Sequence, residues 1–440
     1  MKYVQIIIFY LSILGAMGFS LIAPLFPPLC KEKGISNQIC SYIISSICIT
    51  QIFTSIYCPS YIQKFGTRRL YLISLIGQTI CTFYYGFMVF IKSNFVFIFT
   101  GFVARLLHGV FSSLVSVIAF SITTLINEGK ELERAMGYME LSWGIGLAIG
   151  PAVIGACFDI GGYCLPFILI GFVDLSGVYL FYKIPEKEIV ESKSRKGSLN
   201  SLEEENKKEK FSFLTVMSYI ECVLLVGCIM IELNTTDFFI PTLVNYLNDR
   251  FSIKTSKASL FFLASTFGYI ISTQMINKLT DLCNNFKLIF IGHLVGSICC
   301  LLTAPIGFLP QSYLFILLGI FVQGYAGGVV NIPTFIELNN FGRKIFPNNS
   351  QLQRDIPSSL INFSFFVGDL FEPVIGSWIT AHFNFQTSAY FSAFCSFLMA
   401  ISFAYYHYDK IKGVNITENE MKLLENKESS INRNKSEEKI

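Results

Sequence analysis

Apolar residues in this chain gather into runs of about twenty, set apart by short polar stretches, and twelve such runs can be counted along its 440 residues. A helix of that length, rising ~1.5 Å per residue, crosses the hydrocarbon core of a bilayer. The pattern therefore predicts twelve spanning helices. One polar stretch differs from the rest. From Pro185 to Lys210, fourteen of twenty-six residues are charged and no apolar period survives, which reads as a solvated linker. It divides the spans six and six. The expected organisation is a first six-helix bundle over 1–184, a charged linker over 185–211, a second bundle over 212–408 and a polar tail over 409–440.

The two halves repeat one another. Glu140, Gly146 and Pro151 in span 5 return as Asn362, Gly368 and Pro373 in span 11, each at an offset of 222. The loop after span 2, PSYIQKFGTRR, returns after span 8 as NKLTDLCNN, with Gln63 against Asp281. His108-Gly109 of span 4 answers to Gln323-Gly324 of span 10, at an offset of 215. Matches at nearly one offset across separate helices point to a duplicated membrane unit. Within it, Gly146 and Gly150 predict close approach of a neighbouring helix, and Pro151 and Pro373 predict bends.

Composition narrows the function. The chain is 52% hydrophobic and 14% charged, unlike a soluble domain, and its net charge of +3 is too small to argue for nucleic acid. Thirteen cysteines are scattered through the spans without metal spacing, so no metal or cofactor is expected. No P-loop, nucleophile elbow or zinc pattern is found, which argues against an enzyme. Lys and Arg crowd the loops on the side of the termini, 26 against 6 on the other side, with Arg105 inside a span. By the positive-inside rule both termini are cytoplasmic.

Ionisable groups inside spans are costly unless they face a cavity or a partner. Those found here are mostly acidic, which suits a cation or protons. Glu140 lies one or two turns into span 5. Glu337 follows Pro333, expected to break span 10 and free carbonyls for a cation. Asn234 and Asp237 share a face of span 7 ahead of Pro241. These four are the candidate substrate contacts. In span 11, Asp369 and Glu372 are one turn apart in a stripe with Asn362. Two such carboxylates resist ionising together, which suits a proton carrier. Arg105 and His108 share a face of span 4, where a fixed charge beside a titratable ring could join the same proton step.

These motifs resemble the major facilitator superfamily over the whole chain. Pro59 to Arg69 is similar to its loop motif, keeping Gly66, Arg68 and Arg69. Pro59 and Gln63 stand where the family has glycine and aspartate, and the aspartate is kept in the second copy as Asp281. PLFPPLCKEKGIS, ELSWGIGLAIGP, GGYCLPFILIG and NIPTFIEL look like the vesicular amine transporters, most of all their polyamine branch. Two of that family's acids are missing: none lies between Tyr3 and Pro28, and Asn362 stands at the place of another. The resemblance implies an all-α membrane protein with the major facilitator fold, twelve transmembrane helices in two pseudo-symmetric six-helix bundles, monomeric and without a cofactor. It implies proton-coupled antiport of an organic cation, polyamine or monoamine, across a vesicle membrane by alternating access. Gly66, Arg68, Asp281, Gly146, Gly150, Pro151 and Pro373 become gating and packing residues. The rivals are a plasma-membrane drug–proton antiporter and a membrane sensor that binds a ligand without moving it.

Overall fold

A computed structural model describes residues 2–185, 213–236, 240–253, 261–304 and 312–412. The first half contains α1 (Lys2–Glu32), α2 (Asn37–Phe65), α3 (Thr67–Phe87), α4 (Asn94–Ile126), α5 (Lys130–Gly161) and α6 (Cys164–Tyr182). The second contains α7 (Ile220–Thr236), α8 (Phe261–Leu282), α9 (Asn285–Thr303), α10 (Tyr313–Ile345), α11 (Leu352–His382) and α12 (Phe385–Tyr406). A short helical turn, Phe213–Met217, precedes α7, another segment, Ile240–Phe251, follows it, and Tyr408–Lys412 follows α12. Nine of these helices, among the described residues, are long and apolar enough to cross a membrane. Two of the three others differ for visible reasons. The stretch named α7 is 17 residues long and α8 ends with Lys278 and Asp281, whereas α5, charged in its first turn, continues into an uncharged stretch from Leu141 to Phe158.

Backbone polar groups in lipid must be satisfied within the segment, so the apolar runs fold as helices. Their ends are marked locally. Ser36 accepts a hydrogen bond from the Ile39 amide at the start of α2, and Asn284 and Asn384 do the same for α9 and α12. Gly66 alone joins α2 to α3, at φ 80°, a conformation that a side chain would strain. Arg68, two residues on, donates to the carbonyls of Tyr182 (2.8 Å) and Ile184 (3.2 Å). It thereby caps the end of α6 with positive charge.

The two halves share a packing skeleton. A Cβ on Gly109 of α4 would collide with the Ile47 carbonyl of α2, and one on Gly324 of α10 would collide with the Ser265 carbonyl of α8. Ile47 and Ser265 are themselves 218 apart, so the same contact is built twice. Gly146 and Gly150 of α5 lie directly against Ile13, Ala16 and Ser20 of α1, the close approach expected of them.

The halves meet along two seams, and the polar contacts cluster toward the end that bears the α2–α3 and α8–α9 turns. On one seam, α5 meets α8. Lys130 pairs with Asp281, Thr280 donates to Glu133 Oε2 (2.9 Å), and Gly137 faces the Thr273 carbonyl. On the other, α11 meets α2 and α4. Ser359 donates to the Ser55 carbonyl, Ser116 to Asn362 Oδ1 (2.5 Å) and Ser121 to Asp355 Oδ1. The rings of Phe120 in α4 and Phe335 in α10 lie 5.7 Å apart beside this seam.

Candidate functional site

Where α4, α5, α7, α10 and α11 converge, they leave a small central cavity. Phe120, Met136, Glu140, Asn331, Phe335 and Phe365 are among its walls. Glu140 is half-buried and stands beside the Tyr269 hydroxyl of α8. That hydroxyl is buried among Glu140, Glu232 and Asn331 and makes no well-formed hydrogen bond to any of them. Asn331 donates from Nδ2 to Glu232 Oε2 at 3.1 Å, and its own Oδ1 is buried without a partner. Glu232 is only 4% exposed. Its other oxygen lies against Gly327, where a side chain would collide with it. One acid from each half thus stands near one phenol, with an amide on Glu232, beneath aromatic walls. Carboxylates attract an ammonium group, and aromatic faces add cation–π attraction once water is displaced.

The predicted residues fall into three sets. Glu140 belongs to the cavity. Glu337 does not: it lies six residues beyond Asn331 on α10, where Asn285 Nδ2 (2.6 Å) and Asn340 Nδ2 (3.4 Å) donate to it, with Lys410 and Glu221 nearby. Lys410 binds Glu221 at 2.8 Å, so Glu337 belongs to a brace joining the ends of α7, α9 and α12. The expected break at Pro333 is also corrected. α10 runs unbroken from Tyr313 to Ile345 with Pro333 inside it. The Thr334 hydroxyl donates to the Val330 carbonyl (2.6 Å), one residue past the Val329 carbonyl that Pro333 leaves without its N–H. The side chains of Asn234, Asp237, Glu372, Pro151 and Pro373 lie outside the described residues.

The third set lies on the first half. Arg105 and His108 are 3% and 2% exposed, their side chains 3.5 Å apart, and Arg105 Nε donates to the Ile44 carbonyl at 3.0 Å. Cys48 of α2 is within electrostatic reach of both Arg105 and Asp369 of α11. The structure therefore brings the predicted Arg105, His108 and Asp369 to one side of α2. Asn362, seven residues earlier on α11, is occupied by Ser116 and by the Ser358 carbonyl (2.8 Å).

Neither Glu232 nor Tyr269 is among the substrate contacts that the sequence predicts. Asn331 was in view only as part of NIPTFIEL. A usable signal was the chemistry of that octapeptide, whose first residue is an amide embedded in an apolar run.

The sequence profile of the Major Facilitator Superfamily matches residues 8–339 and, in a second overlapping match, 225–434. The MFS-type transporter SLC18B1 of Mus musculus is 23% identical over 397 residues, covering 89% of this chain and 83% of that protein. The class D tetracycline resistance protein of Salmonella ordonez is 21% identical over 378 residues, covering 83% and 87%. Among solved structures, the transporter FucP in its outward conformation superposes with a TM-score of 0.67 at 14% identity, covering 92% of this chain and 99% of FucP. These findings bear out the expected fold and the resemblance read from the motifs.

Proposed function

Because this chain belongs to the Major Facilitator Superfamily, and so is a multi-pass secondary transporter and not an enzyme, we propose that it exchanges an organic cation, polyamine or monoamine, for protons across a vesicle membrane. The observation that carries this reading is the placement of Glu140 and Glu232, one from each half, around the Tyr269 hydroxyl, with Asn331 on Glu232. A cation entering between them meets two carboxylates on opposite halves, so binding is sensitive to how the halves sit. Protons arriving from the acidic side neutralise the acids and release it. Asp369, with Arg105 and His108, carries the proton step, the acid and the fixed charge of Arg105 both lying near Cys48 of α2.

In this reading the units 1–184 and 212–408 rock about the central cavity, tied by the linker 185–211, with the termini and the tail 409–440 in the cytoplasm. The polar contacts of both seams lie toward that face. They support a state closed to the cytoplasm, from which the cation leaves. The partners are the cation, protons and the lipid bilayer, and the chain acts as a monomer.

The test is uptake into proteoliposomes under an imposed inside-acid gradient, screened with labelled amines. Concentrative uptake that vanishes with a protonophore is expected. Uptake that persists after the gradient collapses would remove proton exchange from the reading. The likeness to the tetracycline resistance protein favours one alternative, a plasma-membrane drug–proton antiporter. It would show as transport of bulky drugs in the same assay and residence at the cell surface.

A further inference from the structure

Away from the central cavity, α1, α3, α4 and α6 enclose a second void with room for about one water-sized occupant. Leu14, Leu75 and Val115 give it apolar walls, and Gln78, Thr79 and Asp174 are its polar side chains. Asp174 is 7% exposed and Gln78 6%. Asp174 Oδ2 and Gln78 Oε1 are both buried with no hydrogen-bond partner. The hydroxyls nearby do not help. Thr79 donates to the Leu75 carbonyl (2.8 Å), and Thr82, next to Asp174, donates to the Gln78 carbonyl (3.1 Å). The Thr82 hydroxyl also lies within hydrogen-bonding reach of the Asp174 carboxylate, but it serves at most one of its oxygens and leaves Oδ2 without a donor. The Gln78 amide nitrogen lies toward Gly15 and Gly18 of α1. Two acceptors of the lining, Asp174 Oδ2 and Gln78 Oε1, are therefore left unserved. A buried acceptor without a donor is costly, and a buried carboxylate without a counter-charge is far more so.

The second half shows the same place filled differently. His293 of α9 is 215 residues after Gln78, and Ser396 of α12 is 222 after Asp174, two of the offsets of the internal repeat. There Ser396 donates to the His293 carbonyl at 2.9 Å and lies 3.4 Å from His293 Nδ1. That pair supplies both donor and acceptor to itself, whereas Asp174 Oδ2 and Gln78 Oε1 find no donor.

We propose that the Asp174–Gln78 pocket is a binding site for one small monovalent cation, apart from the substrate cavity. The chemistry is a single positive charge held between a carboxylate and an amide carbonyl, and its source is a proton or an alkali ion. Nothing else on the surrounding helices supplies that charge. Facing Asp174 are Leu11, Leu14 and Gly15 from α1, Gln78, Thr79 and Thr82 from α3, and Val115 from α4, none of them charged. Tyr10 of α1 bonds Ser176 instead, at 2.9 Å, and no charged group of α5 acts on Asp174 among the described residues. The site does not depend on the reading of the chain as an amine exchanger.

The experiment uses the purified full chain in nanodiscs, as wild type, Asp174→Asn and Gln78→Leu. Thermal unfolding is followed in sodium, potassium or N-methylglucamine chloride at fixed ionic strength, and infrared spectra are recorded in the metal-free buffer at neutral pH. A saturable rise in Tm with sodium or potassium, lost in both variants, assigns an alkali ion. No ion preference, with a protonated-carboxyl band that Asp174→Asn removes and Gln78→Leu shifts, assigns a proton. No ion preference, with loss of only an ionised-carboxylate band in Asp174→Asn, overturns the site. Should Asp174→Asn fail to fold, Gln78→Leu decides alone: an unchanged band and an unchanged ion response overturn it.

Discussion

The two halves of the molecule place glycines at the same points and polar groups at different ones. Gly109 against Ile47 and Gly324 against Ser265 are one contact made twice. Beside them, the first half carries Arg105 and His108, and the second carries the neutral Gln323. The α2–α3 turn uses Arg68 to hold α6 of its own half. The matching α8–α9 turn uses Asp281 to reach across to Lys130 of the other half. The difference teaches that duplication preserves what sterics demand, because a backbone-to-backbone contact tolerates no side chain. Charge is free to diverge, and the proposed exchange of a cation for protons needs it to. Identical halves would hold a cation and a proton in the same way on both sides.

The strongest way to break this comparison is through the shared skeleton. Gly109→Leu and Gly324→Leu each push a side chain into a neighbouring carbonyl, and overpacking of this kind costs about 1–3 kcal/mol or more. Both should lose most folded protein, measured as the monodisperse fraction after extraction. If one half accepts leucine and the other does not, the two contacts are not equivalent.

The next effect concerns the acids. Glu140→Gln and Glu232→Gln keep shape but remove charge, and each should weaken cation binding about 100-fold, the equivalent of about 2.7 kcal/mol, while the protein still reaches the membrane. Glu337→Gln should bind nearly as wild type, because its carboxylate is held by Asn285 and Asn340. Labelled-amine binding to the three variants is the measurement. A loss in Glu337→Gln matching that in Glu140→Gln would return Glu337 to the site.

Much of this architecture is legible in the sequence because it rests on one-dimensional quantities. Run length yields the spans, and a constant offset yields the duplication. Gly66 and Gly146 were legible too, since a turn at positive φ and a close helix approach each leave a glycine behind. The site was only partly legible. Glu232, Tyr269 and Asn331 come from α7, α8 and α10, and no spacing along the chain encodes their meeting. Glu337 misled for a physical reason. A carboxylate after a proline looks like a cation ligand until Asn285 of α9 and Asn340 of its own helix are placed beside it.

A smaller effect separates the two turns. Arg68→Ala removes two charged hydrogen bonds to carbonyls at the end of α6, bonds worth about 1.5–3 kcal/mol each when buried and less at a partly exposed site such as this. Thermal unfolding should fall by a few degrees. The distribution of the protein between its open and closed states should not change, since both partners belong to one half.

Asp281→Asn should do the reverse, and with the smallest effect. The Lys130–Asp281 pair has side chains 64% and 55% exposed, so its loss should cost no more than about 1 kcal/mol of stability and leave the unfolding temperature nearly unchanged. Yet the pair exists only while α5 and α8 are together, so its whole energy bears on the closed seam. About 1 kcal/mol is a roughly fivefold change in the ratio of open to closed. Thr273, 3% exposed and facing Gly137 across the seam, is the place to read it. In a Thr273→Cys background, Asp281→Asn should raise the rate of thiol labelling from the side of the termini by up to that factor. High salt should do the same to the parent, because it screens an exposed pair. Arg68→Ala should leave the labelling rate alone. Equal labelling in all three would mean that the second turn, like the first, serves only its own half.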